Sequence, residues 1–299
     1  MKIFNIAPPN PLPWDCQETG DKMKTRRILT GLLLSAVLFG LQACSTRNAP
    51  INDEPVPVHR ILVVTGGHPF DEKEFFEMMD AIPDITYDKA KMPDDMGLLA
   101  PGLEKKYDAI LSYDQNHFFE QGKQITDAQR VNFGKLMQNG MPLLVLHHSV
   151  GSFPKWTPYR EIAGGAFIFS GAVPLYENLD GKSWPASSHE DDVEMTIRIV
   201  DQVHPITRGL DDFVIHDEAY FDMYVSPDVH LLLTTNHPGA TPEVAWVHRY
   251  HNSPVFTLTL GHGKEAYANE NLQKLIAQGL DWIISERRNT KSREDHDPR

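Results

Sequence analysis

The sequence predicts an α/β protein built on an open, mostly parallel sheet with helices on both faces. Three observations carry this. Short unbroken apolar runs rich in β-branched residues recur in the first half, and such runs suit strands buried on both sides. Segments with apolar residues at helical spacing lie between them. The second half adds strand-like alternation and ends in an amphipathic helix. Strands alternating with helices in this rhythm form parallel sheets through right-handed crossovers.

Each element has its own signal. Arg60-Ile61-Leu62-Val63-Val64-Thr65 is a buried strand that stops at Gly66-Gly67. Residues 71–79 read as a helix, with Phe75, Phe76 and Met79 on one face. Ile85-Thr86-Tyr87 and residues 107–112 are the next strands. Thr126 opens a helix with Val131, Phe133, Leu136 and Met137 inward, and Asn139-Gly140 stops it. Residues 142–146 form a fourth buried strand. Residues 193–200 alternate, placing Val193, Met195, Ile197 and Ile199 on one face. Residues 229–234, 243–247 and 255–260 are further strands. The closing helix spans 268–286, with Leu272, Leu275, Ile276, Leu280, Trp282 and Ile283 on its buried side. Residues 287–299 are expected to be a disordered charged tail.

Composition narrows function. Of 299 residues, 28 are Lys or Arg and 41 are Asp or Glu, giving a formal charge of −13, which argues against a nucleic-acid partner. Both cysteines, Cys16 and Cys44, lie upstream of the predicted strands. The main body therefore has no thiol nucleophile, cysteine-ligated zinc or internal disulfide.

The N-terminal region reads as an address. Met23-Lys24-Thr25-Arg26-Arg27 is a basic start, and residues 28–41 are an apolar run suited to a signal-peptide core. Leu41-Gln42-Ala43-Cys44 resembles a bacterial lipobox, which makes Cys44 the expected lipidation site. Residues 1–44 are thus an upstream extension plus lipoprotein signal peptide, 45–57 a proline-bearing tether, and 58–286 the globular domain. Ser45 after the lipid site points to the outer membrane, facing the periplasm.

In parallel sheets, functional groups gather at the carboxyl ends of strands. That singles out Gly66-Gly67-His68, the loop from Tyr113 to His117, and His147-His148-Ser149.

The order of motifs resembles the ThuA-like family, named for trehalose utilisation. The resemblance runs from the first strand and Gly66-Gly67-His68 to His147-His148-Ser149, Phe153, Trp156 and Gly164-Gly165-Ala166-Phe167. It continues through His189, Asp201 with His204-Pro205-Ile206-Thr207, Asp217-Glu218-Ala219-Tyr220, Pro242 to Trp246, Gly261-His262 and Asp281-Trp282. It implies a class I glutamine amidotransferase-like, flavodoxin-like fold. Amidotransferases carry a nucleophilic cysteine at the strand-to-helix elbow, where this chain has His147-His148-Ser149, so glutamine hydrolysis through a thioester is excluded. His147 stands where the family pattern has glycine, and His251-Asn252-Ser253-Pro254 replaces a Gly-Arg element.

The candidate chemistry follows from these positions. His148, at the elbow, is expected to enter the cleft as a general base or metal ligand, and His147 to point elsewhere. Ser149 lacks the Gly-x-Ser-x-Gly context of a nucleophile and reads as a cap or backbone partner. In an extended segment Glu218 and Tyr220 share one side and Asp217 takes the other. His148, Glu218 and Tyr220 are the expected catalytic set. His148, His189, His262 and Glu218 are the expected ligands of a divalent metal such as zinc. His68, Trp156, Asp217 and Trp246 are expected to bind a small carbohydrate, the tryptophans by stacking or as core. His204 is read as a turn former, and Asp191-Asp192 as solvated charge. The resemblance implies breakdown of a disaccharide or keto-glycoside. A base would take the acidic proton beside a ketone, a metal would stabilise the oxygens, and Tyr220 would protonate the departing oxygen. A non-catalytic carbohydrate-binding lipoprotein is the alternative.

Overall fold

A computed structural model describes residues 58–116 and 125–296. Cys44, the signal segment, the tether, His117 and residues 297–299 lie outside them. In chain order the elements are β1 His59–Gly66, α1 Glu72–Ala81, β2 Ile85–Lys91, β3 Ala109–Asp114, α2 Asp127–Gln138 and β4 Leu143–Leu146. Next come α3 Pro158–Ala163, β5 Gly165–Ala166, β6 Ser188–Ile199, β7 Phe213–Phe221 and β8 Tyr224–Val225. The last are β9 His230–Thr235, β10 Glu243–Tyr250, β11 Ser253–Leu258, α4 Lys264–Tyr267 and α5 Glu270–His296.

Among the described residues, nine strands form one sheet in the order β2-β1-β3-β4-β11-β10-β9-β6-β7. The β2-β1-β3-β4-β11 half is parallel throughout, and this order is that of flavodoxin-like sheets. The other half is antiparallel, so the sheet is mixed.

The apolar runs behave as doubly buried strands must. In β1, Ile61 and Val63 enter one core while Leu62 and Val64 enter the other. In β4, Leu144 and Leu146 join the first core, Leu143 and Val145 the second. Phe75 and Met79 of α1 and Leu272, Leu275 and Ile276 of α5 cover the first face. Phe133, Leu136 and Met137 of α2 and Ile162 of α3 cover the second. Each fully buried Leu or Ile contributes about 1.5–3 kcal/mol to holding these layers together.

Local signals explain the ends. Thr126 caps α2 in a reciprocal box: its hydroxyl accepts from Gln129 N–H at 3.2 Å, and the Gln129 side chain accepts from Thr126 N–H at 2.9 Å. Val193, Met195, Ile197 and Ile199 are all buried along β6, as alternation requires.

Two expectations are corrected. Val131 is exposed on α2 rather than turned inward. The segment from Arg287 is not disordered where described, because α5 continues to His296. Arg287 is buried and donates to the Glu104 carbonyl at 2.6 Å, which anchors this turn to the β2–β3 connection. Among the described residues, no helix is long and apolar enough to cross a membrane.

Candidate functional site: a histidine-lined cleft at the strand ends

The carboxyl ends of β1, β3, β4 and β11 converge on one cleft of about 330 Å³. Gly67, at φ +78°, lets the loop after β1 press against the loop after β3, since a Cβ there would sit 2.0 Å from the Gln115 carbonyl oxygen. The antiparallel half contributes the remaining wall. Strand β7 is the outermost strand by pairing, yet Asp217 Oδ2 accepts from Gly261 N–H at 2.6 Å and Asp217 Oδ1 from His262 N–H at 2.8 Å. The sheet therefore curls, and β7 is carried back over the end of β11.

His147 is the elbow residue. It follows β4 with φ +50°, opening a short 3₁₀ turn over His147–Gly151. A left-handed backbone costs a non-glycine residue roughly 1–2 kcal/mol. Here the ring is pinned: Nδ1 lies 2.8 Å from the Thr259 carbonyl, which can only accept, so Nδ1 carries the hydrogen. Nε2 then faces Glu218 Oε2 at 3.0 Å, His262 Nδ1 at 3.1 Å and the Tyr220 hydroxyl at 3.0 Å. His147 was expected to point elsewhere. The positive φ overturns this, because it throws the elbow side chain itself into the cluster.

His148, expected in that cluster, sits beside it. Its Nε2 is 3.2 Å from the Tyr113 carbonyl, and its buried Nδ1 has no hydrogen-bond partner. Its ring packs against Tyr113 and His68, with centroids 4.3 and 4.6 Å away. Burial, then the neighbouring His147 and His68, hold its pKa well below the usual imidazole range. Burial likewise lowers His68, although its bond to the Pro69 carbonyl opposes this.

Glu218 is the hub. One oxygen faces His147 and, at 3.4 Å, His262 Nδ1; the other lies 3.7 Å from His189 Nε2. Burial pushes its pKa up, but bonds from His147 and His262 win and hold it far below the ordinary carboxylate range. Glu218 in turn raises the pKa of His262. Tyr220 is buried and stacks on His147 at 5.1 Å, and burial keeps its phenol protonated at neutral pH.

The donor set fits a cation. Zinc bonds of about 2.0–2.1 Å in tetrahedral geometry separate ligand atoms by about 3.3–3.4 Å. The edges among His147, Glu218 and His262 measure 3.0, 3.1 and 3.4 Å. The Nδ1–H bond from His147 to a backbone carbonyl is the support that a ligating imidazole uses.

Residues 60–283 match the profile of the family described as ThuA, trehalose utilisation. The chain belongs to the ThuA family. That membership supports a carbohydrate-related role. No match was found among curated proteins. A ThuA-like protein of Parabacteroides merdae is similar in structure, with TM-score 0.61 and 20% identity over 77% of this chain and 90% of that one. A ThuA-like protein of Bacteroides uniformis has TM-score 0.58 and 18% identity, over 79% of this chain and 96% of that one. A cytoplasmic protein of Salmonella typhimurium has TM-score 0.51 and 13% identity, over 75% and 99%. At such identities the likeness is one of fold.

Within this ThuA-family cleft, His68, His148, His189, Glu218, Tyr220 and His262 all line the cavity. Of the other expected sugar contacts, Trp246, Trp156 and Asp217 do not, and for the tryptophans this is the core alternative. Trp246 is wholly buried and donates to the Ala163 carbonyl at 2.9 Å, so its faces are closed to a sugar. Trp156 packs on Phe133 and Phe153 in the second core. Asp217 turns away from the cavity, as alternation foretold, and also accepts from Glu218 N–H at 2.9 Å. Ser149 bonds both backbone groups of Asp114, the structural role expected of it. His204 accepts from Ile206 N–H at 3.2 Å and shapes its turn. Asp191 is exposed, as a solvated charge should be, and it also lines the cavity.

Proposed function

We propose that this protein is a carbohydrate-active enzyme that breaks the glycosidic bond of a small keto-glycoside or disaccharide in the histidine-lined cleft. The observation that carries the reading is Glu218 held between His147 and His262, with the Tyr220 hydroxyl on the same cluster. His147, His262 and Glu218 are the residues that would hold a divalent cation. Such a cation, when bound, supplies Lewis-acid stabilisation of negative charge on substrate oxygens.

The chain's own groups supply the proton movements. His148 lines the cavity as a neutral imidazole whose buried Nδ1 has no partner, so a rotation of the ring that turns Nδ1 toward the cavity makes it a proton acceptor. In a sugar with a ketone at carbon 3, the carbon 2 proton is the acidic one. His148 Nδ1 takes that proton, the carbon 1–carbon 2 double bond forms, and the carbon 1–oxygen bond breaks. Tyr220, a protonated phenol, gives its proton to the departing oxygen. Phe167, which packs edge-on against Tyr220 at 5.2 Å, offers an apolar wall for a sugar face.

The test is incubation of the purified protein with 3-keto-trehalose and 3-keto-glucosides, with and without a chelator. Release of the alcohol, abolished by chelation, is expected. Absence of turnover under every metal condition contradicts the reading, and sugar binding that survives a chelator without product supports a binding protein instead. The lipobox further supports a site of action at the cell envelope, and a diacylated Cys44 in the mass spectrum of the mature chain is the expected sign.

A further inference from the structure

We propose that the cleft holds two divalent cations, the second on His189, Asp191 and Glu218, with the Glu218 carboxylate bridging the pair. This rests on the cation reading for His147, His262 and Glu218, and extends it to a site on a different strand.

Geometry divides Glu218 between two groups. Its Oε2 faces His147 and His262, whereas its Oε1 faces His189. One donor atom from each of His189, Asp191 and Glu218 lies within 4.8 Å of the others, as holds for His147, Glu218 and His262. A carboxylate with one oxygen toward each set is the arrangement of two-metal sites, whose ions lie about 3.5–4 Å apart.

The second set depends on a specific backbone device. In the β6–β7 ladder, His189 pairs with Tyr220 and Glu190 with Ala219, but Val193 pairs with Asp217. Strand β6 thus carries one extra residue opposite Glu218, and Asp192 there has φ +55°. A bulge shifts register by one, and a one-residue shift exchanges the two faces of a strand. Without it, His189 and Asp191 would share the buried side of Val193, Met195 and Ile197. With it, His189 lies on the face of Tyr220 and Glu218, and Asp191 reaches the cavity.

Charge points the same way. Asp191 and Glu218 line the cavity, and among its described lining residues there is no lysine or arginine. Imidazoles are the only cationic partners these carboxylates have there. One cation on His147 and His262 leaves the outer oxygen of Glu218 facing His189, with Asp191 beside them.

The experiment uses the full chain, stripped by chelator, loaded with Zn²⁺, desalted and analysed for bound metal. The wild type is expected to retain about two ions per chain, His189→Ala and Asp191→Asn about one each, and Glu218→Gln close to none. Both His189 and Asp191 are exposed, so circular dichroism should show these variants folded. In the Mn²⁺-loaded wild type, a spin-coupled paramagnetic resonance spectrum is expected, collapsing to an isolated-ion spectrum in Asp191→Asn. One ion in the wild type, unchanged by Asp191→Asn, overturns the second site and leaves the first. Two ions in both proteins place the second ion elsewhere and overturn the proposal. No bound ion at all overturns both sites together.

Discussion

Asp217 accepts a 2.8 Å hydrogen bond from the backbone N–H of His262, a residue 45 positions further along the chain. The same carboxylate takes Gly261 N–H at 2.6 Å and Glu218 N–H at 2.9 Å. One buried side chain therefore sets the distance between two residues of the site, His262 and Glu218. Burial raises the Asp217 pKa, while His147 and these backbone donors oppose the rise. Substituting Asp217→Asn keeps one acceptor oxygen and sets an amide N–H₂ against a backbone donor. The expected loss is about 2 kcal/mol in urea unfolding, because buried unpaired donors cost roughly 1–3 kcal/mol. Zinc affinity should fall with it, since His262 loses its anchor.

Trp246→Phe separates core from cleft. The indole is fully buried and donates to the Ala163 carbonyl, which also accepts from the Thr257 hydroxyl at 2.7 Å. Removing it leaves that carbonyl paired, but opens a void in the second core. Stability should drop by about 2 kcal/mol. Sugar affinity measured by calorimetry should not change, because Trp246 does not line the cavity.

Asp114 supplies a pH signature independent of the cation. It is buried among Ser112, Ser152 and Asn116, and burial raises its pKa to about 6 despite their hydrogen bonds. A group whose folded pKa is raised stabilises the fold fully below its unfolded value of 3.8, and that contribution is lost as pH climbs through about 6. Between pH 4.5 and 7.5 the loss is roughly 2 kcal/mol. Denaturant unfolding of the chelator-stripped protein at both values should show it. Asp114→Asn, which cannot ionise, should show a correspondingly flatter profile.

Much of this molecule is legible in its sequence because burial imposes period. The run Ile61-Leu62-Val63-Val64 has to feed two cores, and it does. The alternation from Val193 to Ile199 gives one buried face, and Gly261-His262 falls at a strand end where a site residue belongs. What sequence hides is torsion. Two adjacent histidines follow β4, and composition does not say which one enters the cluster; the φ of +50° at His147 decides it. The extra residue in β6 is equally silent, so Asp191 reads only as solvated charge, and its place on the rim of the cavity becomes visible with the register shift against β7. Trp246 reads equally as a stacking platform or as core, and only the Ala163 carbonyl above its ring nitrogen settles the matter.

Zinc affinity of chelator-stripped His147→Ala and His148→Ala, measured side by side by competition titration against the wild type, tests the placement of the cation centre most directly. His147→Ala is expected to weaken binding by about 100-fold or more, since loss of a ligand should exceed the roughly 10–100-fold effect of losing a residue that supports one. His148→Ala should bind zinc within a few-fold of the wild type. The reverse result, with His148→Ala losing the metal and His147→Ala retaining it, would contradict a centre built on His147, Glu218 and His262.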